Sequence, residues 1–199
     1  ATLRGLSPDQ TLVLVNGTRR HASALVNVNG TVGRGSAAVD LNAIPSGALD
    51  RVEVLRDGAS AQYGSDAIAG VVNLRLKEAR EGGGASVTYG QYFTSVETAR
   101  GERDEEDGRA VTVSAWQGFG LGSDGFLTLS AEYSDRDPTN RSDYDPRAAA
   151  NGAITARFGD PKVEQWSVFA NAGKPLNADW EAYGWAGYQE RDSASAAFP

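Results

Sequence analysis

The segment from Arg51 to Lys77 reads RVEVLRDGASAQYGSDAIAGVVNLRLK and contains two strand-like runs joined by small residues. In the first run, Val52 and Val54 alternate with charged side chains, which is the period of a half-buried β-strand. The second run, VVNLRL over residues 71–76, is mostly apolar. Between them, residues 59–64 (ASAQYG) predict a short helix that ends at a C′ glycine. The segment therefore predicts a strand, a short helix and a second strand.

Two segments upstream extend this unit. Residues 11–15 (TLVLV) are continuously apolar and precede Asn16-Gly17, which predicts a buried strand that enters a turn. Residues 18–39 form a polar excursion that is too long for a simple hairpin loop, and long ordered loops tend to be functional. Pro45–Leu49 predicts one helical turn that leads into the strand at Arg51.

The pattern changes after the glycine run at residues 82–84. Apolar and polar residues alternate over residues 85–90, 111–115, 127–133 and 166–172, whereas the run 180–189 has aromatic residues on both faces. This alternation is typical of barrel strands with one lipid-facing and one polar face. Connections are predicted to be long at Thr94–Gly108 and Ser134–Lys162, and short at Gly120–Gly125 and Lys174–Asp179. Five strands are too few to close a barrel, since about eight is the smallest usual number.

The string from Arg51 to Lys77, preceded by Ile44-Pro45, resembles the central motif of the plug domain of TonB-dependent outer-membrane receptors. The resemblance extends upstream to Thr11. Many members have Gly-Pro where this chain has Asp57-Gly58, which we interpret as a subfamily variant. Alternation alone would leave a soluble β-sandwich equally open, because antiparallel sheets often bury one face only.

The resemblance implies a fold and a division of the chain. We expect residues 1–82 to be the C-terminal part of an α+β plug, with a small mixed sheet and short helices. We expect residues 83–199 to form about the first five strands of an antiparallel transmembrane β-barrel. Because that barrel would be incomplete, the chain is expected to be part of a longer protein.

The resemblance also implies a function, with no cofactor and no enzymatic activity. The expected function is TonB-dependent active transport of a scarce nutrient of the iron-siderophore, vitamin or carbohydrate type, with the plug gating the barrel. The expected location is the outer membrane of a Gram-negative bacterium. Expected partners are TonB (through an N-terminal box absent from this chain), a small extracellular ligand such as an iron chelate, and outer-membrane lipid. The alternative is a soluble or surface carbohydrate-binding module with a stacking platform formed by Trp116, Trp166, Trp180 and Trp185.

By the same resemblance, the polar excursion and the Tyr-Gly segment form outward apices that meet the ligand. The expected ligand-binding residues are Arg19, Arg20, His21, Arg34, Gln62 and Tyr63. Arginines suit an anionic ligand because they form bidentate bonds, although simple solvation of these arginines and core packing of Tyr63 are alternatives.

Charged residues of the plug strand are expected to contact the barrel wall, and these are Arg51, Glu53 and Arg56. Alternation places Arg51 and Glu53 on one face of the strand and Arg56 on the other. Exposure on one strand face, without any wall contact, is the alternative.

Composition excludes several other classes of protein. The net charge of −7 argues against general nucleic-acid binding, and the lack of cysteine excludes a disulfide framework and a thiolate metal site. The single histidine, His21, leaves a catalytic triad or multi-histidine site without support. Residues 29–36 lack phosphate-loop spacing. Four acids lack the spacing of an EF-hand and are expected to be solvated loop residues: Asp135, Asp137, Asp143 and Asp145.

Overall fold

A computed structural model describes residues 2–24, 26, 33–56, 60–147 and 153–196. The first sheet contains four strands in the order β2-β1-β4-β3. Their bounds are β1 (Thr11–Val15), β2 (Thr18–Arg19), β3 (Leu49–Leu55) and β4 (Gly70–Leu76), with one short helix, α1 (Ser60–Tyr63), between β3 and β4. Strand β1 is parallel to β4, whereas β3 is antiparallel to β4. The sheet is therefore mixed, as predicted.

Local sequence signals explain the turns of this sheet. Every residue of β1 is buried, and the chain then turns through Asn16 and Gly17, which have φ angles of 47° and 80°. Positive φ at both central residues is the requirement of a type I′ turn, which Asn-Gly meets at low cost. Gly64 has a φ of 88° and donates its N–H to the Ser60 carbonyl at 2.9 Å. It is the predicted C′ glycine of α1.

Strand register defines two ends of the first sheet. Thr11 pairs with Gly70 and Leu55 pairs with Val71, so β1 and β4 begin where β3 ends. We name this the apical end. The opposite, basal end holds the Asn16-Gly17 turn and the exit of the chain from β4 into residues 77–82. The predicted helical turn before β3 is a 3₁₀ turn over Ser46–Ala48.

The second sheet is antiparallel and follows chain order. Its strands are β5 (Gly83–Thr98), β6 (Gly101–Leu121), β7 (Gly125–Arg136), β8 (Lys162–Pro175) and β9 (Glu181–Ala194). Among the described residues, β5 and β9 each pair with one neighbour only, so the sheet is open. The predicted fold class, a small mixed sheet followed by antiparallel strands that do not close, is confirmed.

One predicted loop is wrong. Residues 94–108 were expected to form a long connection, but β5 and β6 pair as far as Thr98 and Gly101. Only residues 99–100 form the turn. Charged side chains fit this extended hairpin because neighbours on the strands satisfy them: Ser95 donates to Glu102 at 2.8 Å, and Arg103 pairs with Glu105 at 2.6 Å. The other three connections, at residues 137–161, 122–124 and 176–180, have the predicted lengths.

The second sheet has two chemically different faces. Its inner face, toward the first sheet, buries small polar side chains, among them Ser114, Thr128, Ser130, Ser167 and Asn171. Its outer face exposes apolar and aromatic side chains, among them Val87, Tyr89, Leu129, Tyr133, Trp166, Val168 and Tyr188. Small residues such as Ala131 and Ala170 leave a shallow apolar depression of about 730 Å³ there. In the part of the chain that the structure describes, no helix has the length and apolar character needed to cross a membrane.

The main core joins the two sheets. It contains Val13, Val15, Ile44, Ala48, Val72, Leu74, Leu76 and Phe169. Phe169 comes from β8 and stacks on Trp185 of β9 with ring centroids 5.8 Å apart. A smaller core on the other face of the first sheet holds Leu12, Leu14, Ala67 and Val71, with Tyr63 packed against it.

Candidate functional site

Three of the six predicted ligand-binding residues meet at one cavity. Arg19, Arg20 and His21 line a space of about 330 Å³ beside β1, together with the carboxylates of Asp9 and Asp66. The turn at Asn16-Gly17 reverses the chain, so β2 and the residues after it run back along β1 toward the apical end. The cavity therefore combines cationic and acidic side chains at the position where the sequence predicted a ligand contact.

Both arginines of this cavity have protein partners. Arg19 pairs with the Asp66 carboxylate and donates to the Tyr63 carbonyl at 3.4 Å. The Arg20 guanidinium lies 5.3 Å from the ring centroid of Trp185, a cation–π contact with the second sheet. An anionic ligand would compete with Asp66 for Arg19. The arrangement suits the binding of a polar ligand.

The other three predicted ligand-binding residues lie outside this cavity. Gln62 is exposed on α1, and Tyr63 is half-buried against the smaller core. Arg34 is exposed in a turn that packs on Pro8. That turn requires glycine at position 33, where φ is 87° and a Cβ would lie 2.3 Å from the Pro8 Cδ. Ligand contact by Gln62, Tyr63 and Arg34 stays a prediction.

The predicted wall contacts of Arg51, Glu53 and Arg56 also stay predictions. Arg51 bonds to Asp50 and Glu53, each at 2.9 Å, so Arg51 and Glu53 share one face as expected. Glu53 also accepts a hydrogen bond from Asn73 at 2.8 Å, and this bond lowers the pKa of its carboxyl. These described partners all lie in the first sheet. Arg56 is exposed, and its carbonyl accepts a hydrogen bond from Arg4 at 3.4 Å.

A different segment, residues 40–48 before β3, contacts the second sheet, which we also call the wall. The sequence did not predict this contact. The Glu132 carboxylate, on the inner face of β7, accepts hydrogen bonds from the Ser46 N–H, at 3.0 Å, and from the Ser46 hydroxyl. Gln165 of β8 donates to the Asn42 carbonyl at 2.9 Å. Asp40 pairs with Arg191 of β9 at 3.1 Å. Residues 40–48 therefore form polar contacts with the second sheet, whereas the described partners of Arg51 and Glu53 lie in the first sheet.

The connection between the sheets is also bonded to the wall. Asn171 donates to the Lys77 carbonyl at 3.0 Å, and the Ala79 N–H donates to Thr128 at 2.9 Å. Gly118 donates its N–H to the Gly82 carbonyl at 2.8 Å. Alternation in the sequence did place Thr128 and Asn171 on the polar face of their strands. Their partners could not be deduced, because the partners are carbonyl and N–H groups that every residue carries.

The long connection at residues 137–161 is docked on the extended hairpin. Arg141 forms two hydrogen bonds with the Asp107 carboxylate, at 2.6 and 2.8 Å, and the Asn140 N–H adds a third at 2.8 Å. The Arg141 guanidinium also lies 5.7 Å from the Tyr92 ring. Asp107 lies beyond the apolar part of β6. The bonds from Arg141, and then the one from Asn140, lower the pKa of Asp107 below its usual value.

This geometry predicts an acid-sensitive loop. Because the pKa of Asp107 is lowered in the folded protein, its stabilisation is present above the ordinary carboxyl pKa of about 4 and is lost as the pH falls through the lower folded value. Asp107→Asn should weaken docking of residues 138–147 by about 1.5–3 kcal/mol at pH 7, the usual contribution of a hydrogen bond to a charged group. Hydrogen exchange of this segment measures the effect.

The matched control is Asp104→Asn, because Asp104 lies on the same strand, is exposed and points to the other face. It should leave exchange at residues 138–147 unchanged. The difference between Asp107→Asn and the unmodified protein should shrink near pH 3. An equal difference at both pH values would contradict the role of the ionised carboxylate.

The four acids that were expected to be solvated loop residues are paired instead. Arg109 bonds to Asp135 and Asp137, each at 2.9 Å. Asp143 pairs with Arg100 at 2.8 Å, and Asp145 pairs with Arg147 at 3.1 Å. Within the described ranges, no group of three or more His, Cys, Asp or Glu side chains is placed to hold a metal ion.

The tryptophan platform of the alternative interpretation is wrong. Trp116 and Trp185 face the first sheet, where Lys77 lies 5.5 Å from the Trp116 ring and Arg20 lies over Trp185. Trp166 is on the outer face beside Tyr188, with ring centroids 5.2 Å apart. These side chains lie on opposite faces of the sheet and cannot stack on one ligand.

Comparison with known proteins shows what the chain is similar to. Residues 1–71 match the TonB-dependent Receptor Plug Domain family. This part of the chain is therefore similar to the plug domains of TonB-dependent receptors. The chain is 28% identical over 206 residues to the vitamin B12 transporter BtuB of Vibrio cholerae serotype O1, an alignment that covers 98% of this chain and 29% of the transporter. It is also 38% identical over 77 residues to the ferric enterobactin receptor of Pseudomonas aeruginosa, covering 39% of this chain and 10% of that receptor.

A solved ferric enterobactin receptor shares the fold of this chain. The crystal structure of a variant of the ferric enterobactin receptor PfeA from Pseudomonas aeruginosa, in complex with enterobactin, superposes with a TM-score of 0.70 at 21% identity. The match covers 96% of this chain and 27% of the receptor. The chain therefore spans less than a third of the length of these relatives.

Proposed function

We propose that this chain is the plug and the first barrel strands of a receptor that actively transports a scarce nutrient across the outer membrane, powered by TonB. The observation that carries the proposal is the match of residues 1–71 to the plug family. This part of the chain is hydrogen-bonded to the inner face of an antiparallel sheet. The named relatives are transporters and receptors, which supports transport and argues against an enzyme.

We assign the plug to residues 1–82 and the first five barrel strands to residues 83–199. The open edges of β5 and β9 support this division, because further strands would pair there. The alignment covers 29% of the Vibrio transporter, which fits one part of such a receptor.

The outer face supports placement in the outer membrane of a Gram-negative bacterium. Four exposed aromatic side chains form a row on the outer face, on the apical side of the apolar residues of that face: Tyr89, Tyr133, Trp166 and Tyr188. Aromatic girdles of this kind mark the membrane interface of transmembrane barrels. The lipid partner would cover the apolar residues between this row and the basal turns.

The apical cavity supports a ligand-responsive plug. A small extracellular ligand, such as a vitamin or an iron chelate, would bind Arg19, Arg20 and His21, with Arg34, Gln62 and Tyr63 on the neighbouring segments. TonB would engage the receptor through a TonB box. Ligand binding can bias exposure of that box only if the ligand binds one plug conformation more tightly than the other.

Uptake measurements test this function. A receptor that contains this chain would be expressed in Gram-negative cells that lack their own receptors, and uptake of cyanocobalamin and ferric enterobactin would be measured with and without TonB. We expect uptake of at least one ligand, and its loss without TonB. TonB-independent uptake, or uptake of neither ligand by a correctly inserted receptor, would contradict the proposal.

A pair of substitutions at Tyr63 tests the ligand contact. If the ring is an apical anchor, Tyr63→Ala should weaken binding of the transported ligand by about 1–3 kcal/mol, in the range of interface hot spots. Tyr63→Phe keeps the packing against the smaller core and isolates the hydroxyl. Tyr89→Ala, at an exposed outer-face tyrosine, is the control and should leave affinity unchanged. Equal affinity of Tyr63→Ala and the unmodified receptor would leave Tyr63 with a packing role only.

A further inference from the structure

A second cavity, of about 520 Å³, lies on the inner face of the second sheet near the apical ends of its strands. Its polar lining comes from Thr112, Glu132, Ser134, Arg136, Gln165, Arg191 and Ser193 of the second sheet and from Asn42, which precedes β3. This volume is within the range of small-molecule sites, which is about 300–1,000 Å³. The cavity is separate from the one that holds Arg19, Arg20 and His21.

Most polar groups of this cavity already have partners. Arg191 donates to Gln165 at 2.8 Å and pairs with Asp40. Glu132 accepts the two hydrogen bonds from Ser46, and the hydroxyls of Thr112 and Ser134 lie 3.2 Å apart. The carboxylates at this cavity are therefore committed to the contact between the two sheets.

Arg136 differs from these groups. Its Nε is buried, and no residue in the described part of the chain accepts a hydrogen bond from it. A guanidinium stays charged at all ordinary pH values and carries five donors, so a buried donor without an acceptor calls for an explanation. Nearby Arg109, on the outer face, binds two carboxylates, Asp135 and Asp137. Asp135 and Asp137 therefore lie on the face of the sheet opposite to Arg136.

We propose that Arg136 anchors an oxyanion group, a carboxylate or a phosphate, of the transported ligand. A planar guanidinium binds such a group through two parallel hydrogen bonds, and the Thr112 and Ser134 hydroxyls are further donors in the same cavity. This inference rests on the proposed function, because it requires that the ligand reaches the inner face of the wall. It assigns the ligand an anionic group and names Arg136 as the residue of the second sheet that binds this group.

Anion binding to the purified receptor tests the proposal without any transport. Isothermal titration with citrate and with inorganic phosphate would compare the unmodified receptor with Arg136→Gln, Arg136→Lys and the matched control Arg109→Gln. We expect Arg136→Gln to weaken binding of at least one anion by about tenfold or more, the loss expected for a charge-assisted pair. Arg136→Lys should lose less, because it keeps the charge, and Arg109→Gln should bind as the unmodified receptor does. Preference for citrate or phosphate identifies the group as carboxylate or phosphate.

Three outcomes would overturn the proposal: no binding of either anion by the unmodified receptor at millimolar concentration, unchanged affinity in Arg136→Gln, or an equal loss in Arg109→Gln. Unchanged affinity is also the result expected if only water satisfies Arg136. Thermal unfolding of each variant checks that it is folded, and Arg136→Lys provides a second test if Arg136→Gln fails to fold. Failure here with intact TonB-dependent uptake would remove the anion anchor and leave the proposed function standing.

Discussion

Phe169→Ala is expected to weaken the attachment of the first sheet to the wall by about 3–5 kcal/mol, the usual cost of removing a buried phenylalanine side chain. Phe169 is 4% exposed, and although it belongs to β8 it is part of the core of the first sheet. Its removal opens a cavity between the sheets and takes away the stacking partner of Trp185. In a receptor that contains this chain, the plug should loosen while the wall strands stay paired.

The neighbouring residue is the control for this prediction. Val168 lies on the same strand, points to the outer face and is 42% exposed. Val168→Ala should therefore leave the plug in place. Leakage of a normally excluded solute into cells, and protease sensitivity of residues 1–82 in purified receptor, measure plug attachment. Equal leakage from the two variants would show that the core between the sheets does not hold the plug.

Glu132→Leu should give the second largest effect, about 2–3 kcal/mol in plug attachment, because it removes a charged acceptor and leaves the Ser46 N–H without its partner. The Glu132 carboxylate accepts both the backbone and the side-chain donor of Ser46, in the turn before β3. Glu132→Gln keeps a carbonyl acceptor and should cost about 1 kcal/mol, the value of a neutral hydrogen bond. Graded leakage, with Leu above Gln, is the expected pattern.

Glu164→Leu controls for the loss of a carboxylate from the sheet. Glu164 is exposed on the outer face and accepts a hydrogen bond from the Tyr133 hydroxyl at 3.0 Å. Its replacement should change plug attachment by less than about 0.5 kcal/mol, as for most surface substitutions. If Glu132→Leu leaks no more than Glu164→Leu, the hydrogen bonds between Ser46 and Glu132 do not hold the plug.

The sequence predicted much of the fold because local rules govern it. The Asn16-Gly17 turn and the cap at Gly64 follow from backbone angles that these residues adopt cheaply. Four of the five strands of the second sheet follow from alternation, since successive side chains of a strand point to opposite faces. The prediction was wrong at residues 94–108, where the charged composition suggested a loop and the structure has two paired strands. There, pairing with neighbours such as Arg103 and Arg141 compensates for the charge, and the sequence does not show which residues become neighbours.

The candidate site was only partly predictable for the same reason. The segment that carries Arg19, Arg20 and His21 is local, and the sequence by itself determined that it forms a polar excursion after a buried strand. The tertiary structure decided that these side chains share a cavity with Asp66. It also decided that Ser46 rather than Arg51 bonds to the second sheet, and that Arg136 lines a cavity whose carboxylate, Glu132, is bonded to Ser46. Each of these depends on contacts between residues far apart in the chain, such as Ser46 with Glu132. Side-chain period sets the face on which a residue lies, but only packing of the two sheets sets what it meets there.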